Sequence, residues 1–397
     1  MIERSEYMNL LIGFRDKQII KIITGIRRCG KSTLLANFQE HLLKQGVSPE
    51  QILSINFEDF ENESLRNPHQ LHDYIKQHLL QDKMNYLFLD EVQEVEEYQK
   101  VVDSFFIKKN VDLYLTGSNA HLLSGDLATL LSGRYVEIEM LPFSFKEYVA
   151  TTGDTRELAR KYTTYLTNSS FPFTTTLAGN QKLIQIYLRD IYSTVLLKDV
   201  LTRNRITDPM MMESLIRFVF DNIGSQISTK KISDAMNANY RKIDVKTVEK
   251  YLNALVHSYI IYQAKRYDIK GKEYLKTLDK YYVVDIGMRY LLLGNSAADT
   301  GHILENVIYL ELLRRGYRVY IGKVNEQEVD FVAMDQTTTL YLQVAATLRD
   351  PRTLARELEP LQRISDNYPK YLLTLDEDPE VNFAGIICKN ALDWLLT

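Results

Sequence analysis

The sequence predicts an α/β fold: a parallel sheet with crossover helices at the N-terminal end, helices in the middle, and a second α/β unit at the C-terminal end. Two observations predict it. Short β-branched runs alternate with helical apolar spacing over residues 19–116, the pattern of a parallel sheet with right-handed crossovers. The spacing then becomes helical from about Thr151, with two strand-like runs before Asp285 and three more after Gly301.

Ile19-Ile20-Lys21-Ile22-Ile23-Thr24 reads as the first strand and stops at Gly25. Leu34, Leu35, Phe38, Leu42 and Leu43 then recur on one helical face. Ile52-Leu53-Ser54-Ile55-Asn56-Phe57, Tyr86-Leu87-Phe88-Leu89 and Leu113-Tyr114-Leu115-Thr116 read as three further strands. Tyr162, Tyr165, Leu166 and later Leu183, Ile184, Tyr187 and Ile191 fall at helical spacing, with a loop at Asn168-Ser169-Ser170-Phe171-Pro172 between them. Residues 209–285 read as three helices followed by two strands around a basic turn. From Gly301 a helix precedes strands at Arg318–Ile321, Glu328–Val332 and Leu340–Val344. The expected domains are 1–150, 151–206, 207–298 and 299–397.

A chain of 397 residues exceeds one ordinary core. With 45% hydrophobic and 25% charged residues it has a globular balance, and a net charge of −4 gives no overall signal of nucleic-acid binding. Cys29 and Cys388 form no disulfide or metal pattern, and no apolar run approaches the ~20 residues that span a bilayer. The first residues, Met1-Ile2-Glu3-Arg4-Ser5-Glu6, lack the apolar stretch of a signal peptide. A cytoplasmic protein with no membrane partner is expected. The 26 tyrosines are scattered and read as core and interface residues.

Gly25-Ile26-Arg27-Arg28-Cys29-Gly30-Lys31-Ser32 matches G-x-x-x-x-G-K-[ST], with Thr33 following. Glycines let backbone amides wrap phosphates at a helix N-terminus. Lys31 is expected on the β- and γ-phosphates of ATP, and the Ser32 hydroxyl on magnesium. Leu87-Phe88-Leu89-Asp90-Glu91 ends a buried strand in two carboxylates: Asp90 beside the metal, Glu91 to polarise the attacking water. Thr116 and Ser118, in Thr116-Gly117-Ser118-Asn119, are both candidates to hold that water. Arg134 is a candidate to reach the γ-phosphate in its own subunit or in a neighbour's, which would make the protein a homo-oligomer.

The phosphate loop, Leu89-Asp90-Glu91-Val92-Gln93, Leu115-Thr116-Gly117-Ser118, Ser132-Gly133-Arg134 and Leu141-Pro142-Phe143-Ser144-Phe145 together resemble prokaryotic AAA-type ATPases. Members of that group carry a C-terminal domain similar to PD-(D/E)xK nucleases. Over almost the whole chain, the resemblance implies a P-loop ATPase core, a helical lid, a winged-helix module and a nuclease-like end. It also implies a glycine pair before Phe171-Pro172, where this chain has Ser169-Ser170.

Two surfaces are candidates for partners. In the winged-helix segment, residues 228–280, Val245, Val248, Leu252 and Leu255 form an apolar stripe that leaves Lys246, Thr247, Lys250 and Asn253 outward. From Lys230 to Lys280 there are twelve lysines and arginines against six acids, which suits either a DNA backbone or a charged protein-packing surface. In the nuclease-like end the resemblance maps Glu305 and Asp330 to metal-binding acids, but the following Glu-x-Lys reads Gln343-Val344-Ala345. That domain is expected to keep its fold as a binding or assembly surface for a protein partner, without cleaving.

Overall fold

In a computed structural model of the chain, residues 4–120, 131, 133–239, 242–294 and 299–397 are described. Ser132, and Tyr240 and Arg241 within the basic segment, lie outside the described residues. The chain forms two compact units, Met1–Pro142 with His257–Tyr259, and Phe143–Val256 with Ile260–Thr397.

The first unit runs α1 (Ser5–Phe14), β1 (Ile20–Thr24), α2 (Lys31–Lys44), β2 (Ile52–Asn56), α3 (Pro68–His78), β3 (Asn85–Asp90), α4 (Tyr98–Phe106), β4 (Val111–Thr116) and β5 (Tyr135–Glu139). The strands pair in parallel in the order β2-β3-β4-β1-β5. Every residue of β1 and β3 is buried, as expected of strands covered on both faces. Leu71 and Ile75 of α3 and Val101, Val102 and Phe105 of α4 pack with Ile20, Ile22, Leu87 and Leu115. On α2, Phe38 meets the rings of Phe88 and Tyr114 at 6.2 and 5.1 Å. Because all five strands run the same way, the loops after β1, β3 and β4 open at one edge of the sheet.

Lys21 breaks the apolar pattern of β1. It is fully buried and ion-paired to Asp112 on β4, whose other oxygen accepts from the Tyr114 hydroxyl at 2.8 Å. Burial pushes the Lys21 ammonium down and the Asp112 carboxyl up, while each partner's charge works the other way.

The second unit begins with α5 (Phe145–Thr151), opened by a capping box in which Ser144 and Glu147 satisfy each other's backbone amides. It continues with α6 (Leu158–Asn168) and α7 (Gln181–Thr194), which runs on as a π-helical stretch, Val195–Thr202. The three expected helices follow as α8 (Pro209–Asp221), α9 (Thr229–Asn239) and α10 (Val245–His257), then the hairpin β6 (Ile261–Asp268) and β7 (Glu273–Val283). After α11 (Ile286–Leu293) and α12 (Thr300–Arg314) come β8 (Arg318–Val324), β9 (Gln327–Met334), β10 (Thr339–Ala345), α13 (Pro351–Gln362), β11 (Lys370–Thr374), β12 (Val381–Phe383), β13 (Ile386–Asn390) and α14 (Ala391–Leu396). The strands form one sheet in the order β12-β13-β11-β10-β9-β8-β6-β7.

This sheet differs from the expected division at 298/299. β6 pairs in parallel with β8, placing Arg266 opposite Ile321 and Tyr267 opposite Gly322, so the hairpin and the C-terminal strands share one ladder. The reason is hydrogen bonding: the inner edge of β6 presents amides and carbonyls that β8 satisfies.

Ser169 adopts φ 74° and ψ 154°, a backbone region that glycine alone enters easily. Asp285 holds the loop, accepting from the Ser170 amide at 2.7 Å and its hydroxyl at 2.6 Å. A side chain at Gly287 would bring its Cβ 2.6 Å from the Ser169 Cβ, so that glycine makes the room. Among the described residues no helix is long and apolar enough to cross a membrane.

Candidate nucleotide site and the C-terminal acid cluster

The turn from β1 into α2 is built around Gly25 and Gly30, at φ 133° and 108°. A Cβ at Gly25 would stand 2.2 Å from the Met140 carbonyl oxygen, which only glycine avoids. Arg28 also has a positive φ, 65°. Ile26, Arg27, Cys29 and Lys31 are buried, while Arg28, Ser32 and Thr33 lie at the surface. Burial pushes the Cys29 thiol up, so it stays protonated and inert. Arg4, buried ahead of α1, donates to the Cys29 carbonyl at 3.2 Å and to Leu141 at 2.9 Å, bracing the loop from behind.

Lys31 Nζ donates to the Gly25 and Ile26 carbonyls at 2.9 and 3.3 Å and lies 3.6 Å from Glu91 Oε1. Asp90 ends β3, where the Thr116 and Ser32 hydroxyls bond its carboxyl. The Ser32–Asp90 contact joins the hydroxyl and carboxylate that a magnesium ion on a nucleotide would use, so the donor set fits that cofactor. Burial holds the Asp90 carboxyl above its ordinary range, with the charge of Glu91 adding to the rise and both hydroxyls opposing it. Glu91 follows in the left-handed region, φ 53°. Burial opposes its charge, but Lys31, Arg27 and bonds from Gln93 and Ser118 outweigh that and hold it below the usual carboxylate range.

The Thr116 hydroxyl is engaged twice, donating to Asp90 and accepting the Glu91 amide at 2.8 Å. It therefore aligns the two acids, and Ser118 is the hydroxyl beside the Glu91 carboxylate. Lys31, Ser32, Asp90, Glu91, Thr116 and Ser118 thus converge at the ends of β1, β3 and β4.

Arg134 does not join them. β5 runs parallel to β1 with Ile20 opposite Tyr135 and Thr24 opposite Glu139. Arg134 therefore sits at the start of β1's neighbour, about 16 Å along the strands from the phosphate loop. Its guanidinium is 2.5 Å from Asp103 on α4 and stacks over Phe106. Reach to its own subunit's phosphates, one of the two expected routes, is ruled out by this register.

Gln93, Glu58 and Arg4 were not singled out by the sequence. Gln93 Nε2 donates to Glu91 Oε2, and Glu58 pairs with Arg27 at 2.5 Å. Gln93 was quoted as part of Leu89-Asp90-Glu91-Val92-Gln93, but its bond to the second acid was not read from that motif.

In the second unit, Glu305 of α12, Glu328 and Asp330 of β9 and Gln343 of β10 lie close together around a cation from another strand. Lys280 of β7 is 4% exposed, with Nζ 2.8 Å from Glu305, 2.6 Å from Glu328 and 4.0 Å from Asp330. Burial works against its charge, but the three carboxylates hold the ammonium above the ordinary lysine range. The Tyr282 hydroxyl adds a 2.6 Å bond to Glu305. Burial and the charge of Glu305 push Asp330 well up. Gln343 accepts the Asp330 amide at 3.2 Å and donates to Glu357 at 2.8 Å, so both ends of its amide are spent inside the domain. Among the described residues no group of three or more His, Cys, Asp or Glu is arranged to hold a metal ion.

The strand order, the phosphate loop after β1 and the acidic pair after β3 define a class: the AAA-type P-loop fold. Residues 17–149 match the family described as AAA domain, and residues 159–299 match a domain of unknown function. The chain belongs to a family of AAA-domain proteins together with an uncharacterized protein of Haemophilus influenzae, 38% identical over 100% of this chain and 99% of that one. The uncharacterized protein MJ1544 of Methanocaldococcus jannaschii is 29% identical over 83% of this chain and 75% of its own. Among solved structures, the Walker-type ATPase PABY2304 of Pyrococcus abyssi shares the fold, with a TM-score of 0.52 and 14% identity over 74% of this chain and 96% of that one.

Proposed function

We propose that the chain binds ATP with magnesium, hydrolyses it, and uses that cycle to act on or near DNA. The observation that carries this is the meeting of Lys31, Ser32, Asp90 and Glu91 where β1 and β3 end on either side of β4, with Ser32 bonded to Asp90. Lys31 and the first amides of α2 bind the phosphates, and Ser32 and Asp90 hold magnesium, which neutralises phosphate charge. Glu91, kept ionised by Lys31 and Arg27, polarises the attacking water, with Ser118 orienting it. Arg134, exposed at the far edge of the sheet, serves the site of a second copy in a homo-oligomer.

DNA contact falls to α10. Lys246, Lys250 and Asn253 are exposed on it while Val248, Tyr251, Leu252 and Leu255 are buried, leaving a polar face suited to the major groove. Asp244 caps this helix through Thr247. The C-terminal domain acts as an assembly surface for a protein partner and does not cleave DNA. The lone, unpaired cysteines fit a cytoplasmic location.

A second function, a nucleotide-gated protein-interaction switch with slow turnover, is favoured by the engagement of Glu91 with Lys31, Gln93 and Ser118 at once. ATP turnover with and without duplex DNA separates the two. A DNA-stimulated rate that vanishes in Lys31→Ala supports the first; a slow rate indifferent to DNA supports the switch. Near-normal hydrolysis by folded Lys31→Ala would remove both.

A further inference from the structure

The outer end of the eight-stranded sheet carries three tyrosines that neither the nucleotide site nor α10 employs. Tyr267 and Tyr274 are cross-strand partners on β6 and β7, so they share one face. Tyr320 on the adjacent β8 joins them, with ring centroids 5.2 Å from Tyr274 and 6.0 Å from Tyr267. Tyr267 and Tyr320 are half-buried against the core beneath, beside Val329 and Val332, where α13 covers the sheet. Tyr274 lies beyond that cover. It is 57% exposed, its ring propped on the other two and its hydroxyl hydrogen-bonded to that of Tyr320. The three rings together make a continuous aromatic surface at the sheet edge.

The charge around these rings is one-sided. Residues 265–275 and 318–323 hold six lysines and arginines (Lys265, Arg266, Lys270, Lys272, Arg318 and Lys323) and two acids, Asp268 and Glu273. Asp268 is committed to the hairpin turn, accepting the Lys270 and Gly271 amides at 3.0 and 2.9 Å. Lys265, Lys270, Lys272 and Arg318 make no ion pair among the described residues, and Arg318 lies close enough to Tyr320 to act on its hydroxyl. Aromatic faces at the sheet edge, with cations outnumbering acids beside them, match a ligand with flat apolar rings on a polyanionic backbone.

We propose that the tyrosine face of β6, β7 and β8 binds single-stranded nucleic acid, with bases stacked on Tyr274 and its neighbours and the backbone running along Lys265, Lys272 and Arg318. Tyr274 is the ring most open to solvent, and a base can stack on it only when unpaired, since a duplex keeps its base faces stacked inside, so the face selects a single strand. This goes beyond the duplex contact assigned to α10 and does not depend on ATP turnover.

The test is fluorescence anisotropy of the full chain with a labelled oligo-dT of about 12 nucleotides, alongside an oligo-rU and a duplex of similar length. Wild type binds the single strand, and Tyr274→Ala weakens it by about fivefold or more, the loss of one base stack. Tyr274→Phe keeps the ring and keeps the affinity. Lys265→Ala with Lys272→Ala lowers the salt slope by about 1.4, two phosphate contacts on a single strand. Lys246→Ala with Lys250→Ala leaves oligo-dT binding intact whatever it does to the duplex, so failure of the α10 assignment would not be mistaken for failure of this one. Comparing oligo-dT with oligo-rU tells DNA from RNA. The proposal is overturned if wild type binds neither single strand, if Tyr274→Ala binds as wild type does, or if Tyr274→Ala changes the mass in solution without changing binding, which would make the face a protein interface.

Discussion

Lys31 and Glu91 face each other across the nucleotide site, Nζ 3.6 Å from Oε1, with both side chains less than a tenth exposed. Lys31 stabilises the charge of Glu91, so in the proposed cycle phosphate binding and water activation would draw on one electrostatic pair. Removing either side separates the two steps.

Glu91→Gln should therefore keep ATP bound while slowing turnover by about 10² to 10⁴, because an amide cannot take a proton from water. Equilibrium nucleotide binding beside single-turnover hydrolysis measures both. Asp90→Asn should instead weaken magnesium-dependent binding. Loss of binding in Glu91→Gln with binding retained in Asp90→Asn would reverse the two roles.

Arg134→Ala should bind ATP normally and hydrolyse it poorly, since its position leaves only a neighbouring site for it to serve. Mixed with Glu91→Gln chains, it should regain part of the activity once subunits exchange. With exchange demonstrated by mass, a mixture as inactive as its components would show that Arg134 does nothing more than pair with Asp103.

Purified protein should not cut linear, circular or branched DNA with magnesium or manganese. Lys280 already supplies the cation that Glu305, Glu328 and Asp330 attract. Lys280→Met should leave these carboxylates uncompensated in the interior and destabilise the second unit by about 3–5 kcal/mol, visible as a lowered melting temperature. Wild-type cleavage that disappears in Asp330→Ala would overturn the non-catalytic assignment, and an unchanged melt of Lys280→Met would show that the cluster is wetter than its burial implies.

Ser169→Gly should hold the protein's stability level or raise it. A non-glycine residue in this backbone region costs about 1–3 kcal/mol. The substitution gives up two hydroxyl bonds, one accepted from the Phe171 amide at 3.2 Å and one donated to Asp285, which together offset about 2 kcal/mol. A melting temperature that rises, or holds level, fits; a clear fall would mean that the serine's hydrogen bonds outweigh the strain.

The phosphate loop and the acids after β3 were legible because their chemistry is local: glycines, a lysine and a hydroxyl within eight consecutive residues, then two carboxylates where an apolar strand stops. Strands β1, β3 and β4 were legible because covered strands read as near-continuous apolar runs, and the half-exposed β2 through Ile52, Leu53 and Ile55. What stayed hidden depends on pairings distant in sequence. Lys21 looked like an interruption in an apolar run until Asp112, ninety-one residues later, gave it a partner. Lys280 lay in a basic stretch that resembled solvated charge, although its side chain turns inward onto Glu305 and Glu328. The distance of Arg134 from the phosphate loop followed only from strand register, which no spacing in the sequence reveals. The tyrosine count pointed to core and interface, and it took pairing across β6, β7 and β8 to gather three rings on one face.

The shared ladder between β6 and β8 bears on how the chain can come into being. On the ribosome the β6–β7 hairpin is complete about 35 residues ahead of β8, so its inner edge exists in sequence well before its partner does. Until then it offers open amides and carbonyls to any other nascent strand. Exposed Lys270 and Lys272 at its turn and Lys265 on β6 act as gatekeepers over that interval, discouraging edge-to-edge association. The three-helix module is thus no independent cassette: excised before β8, it would carry an unpaired edge into every later step of its life.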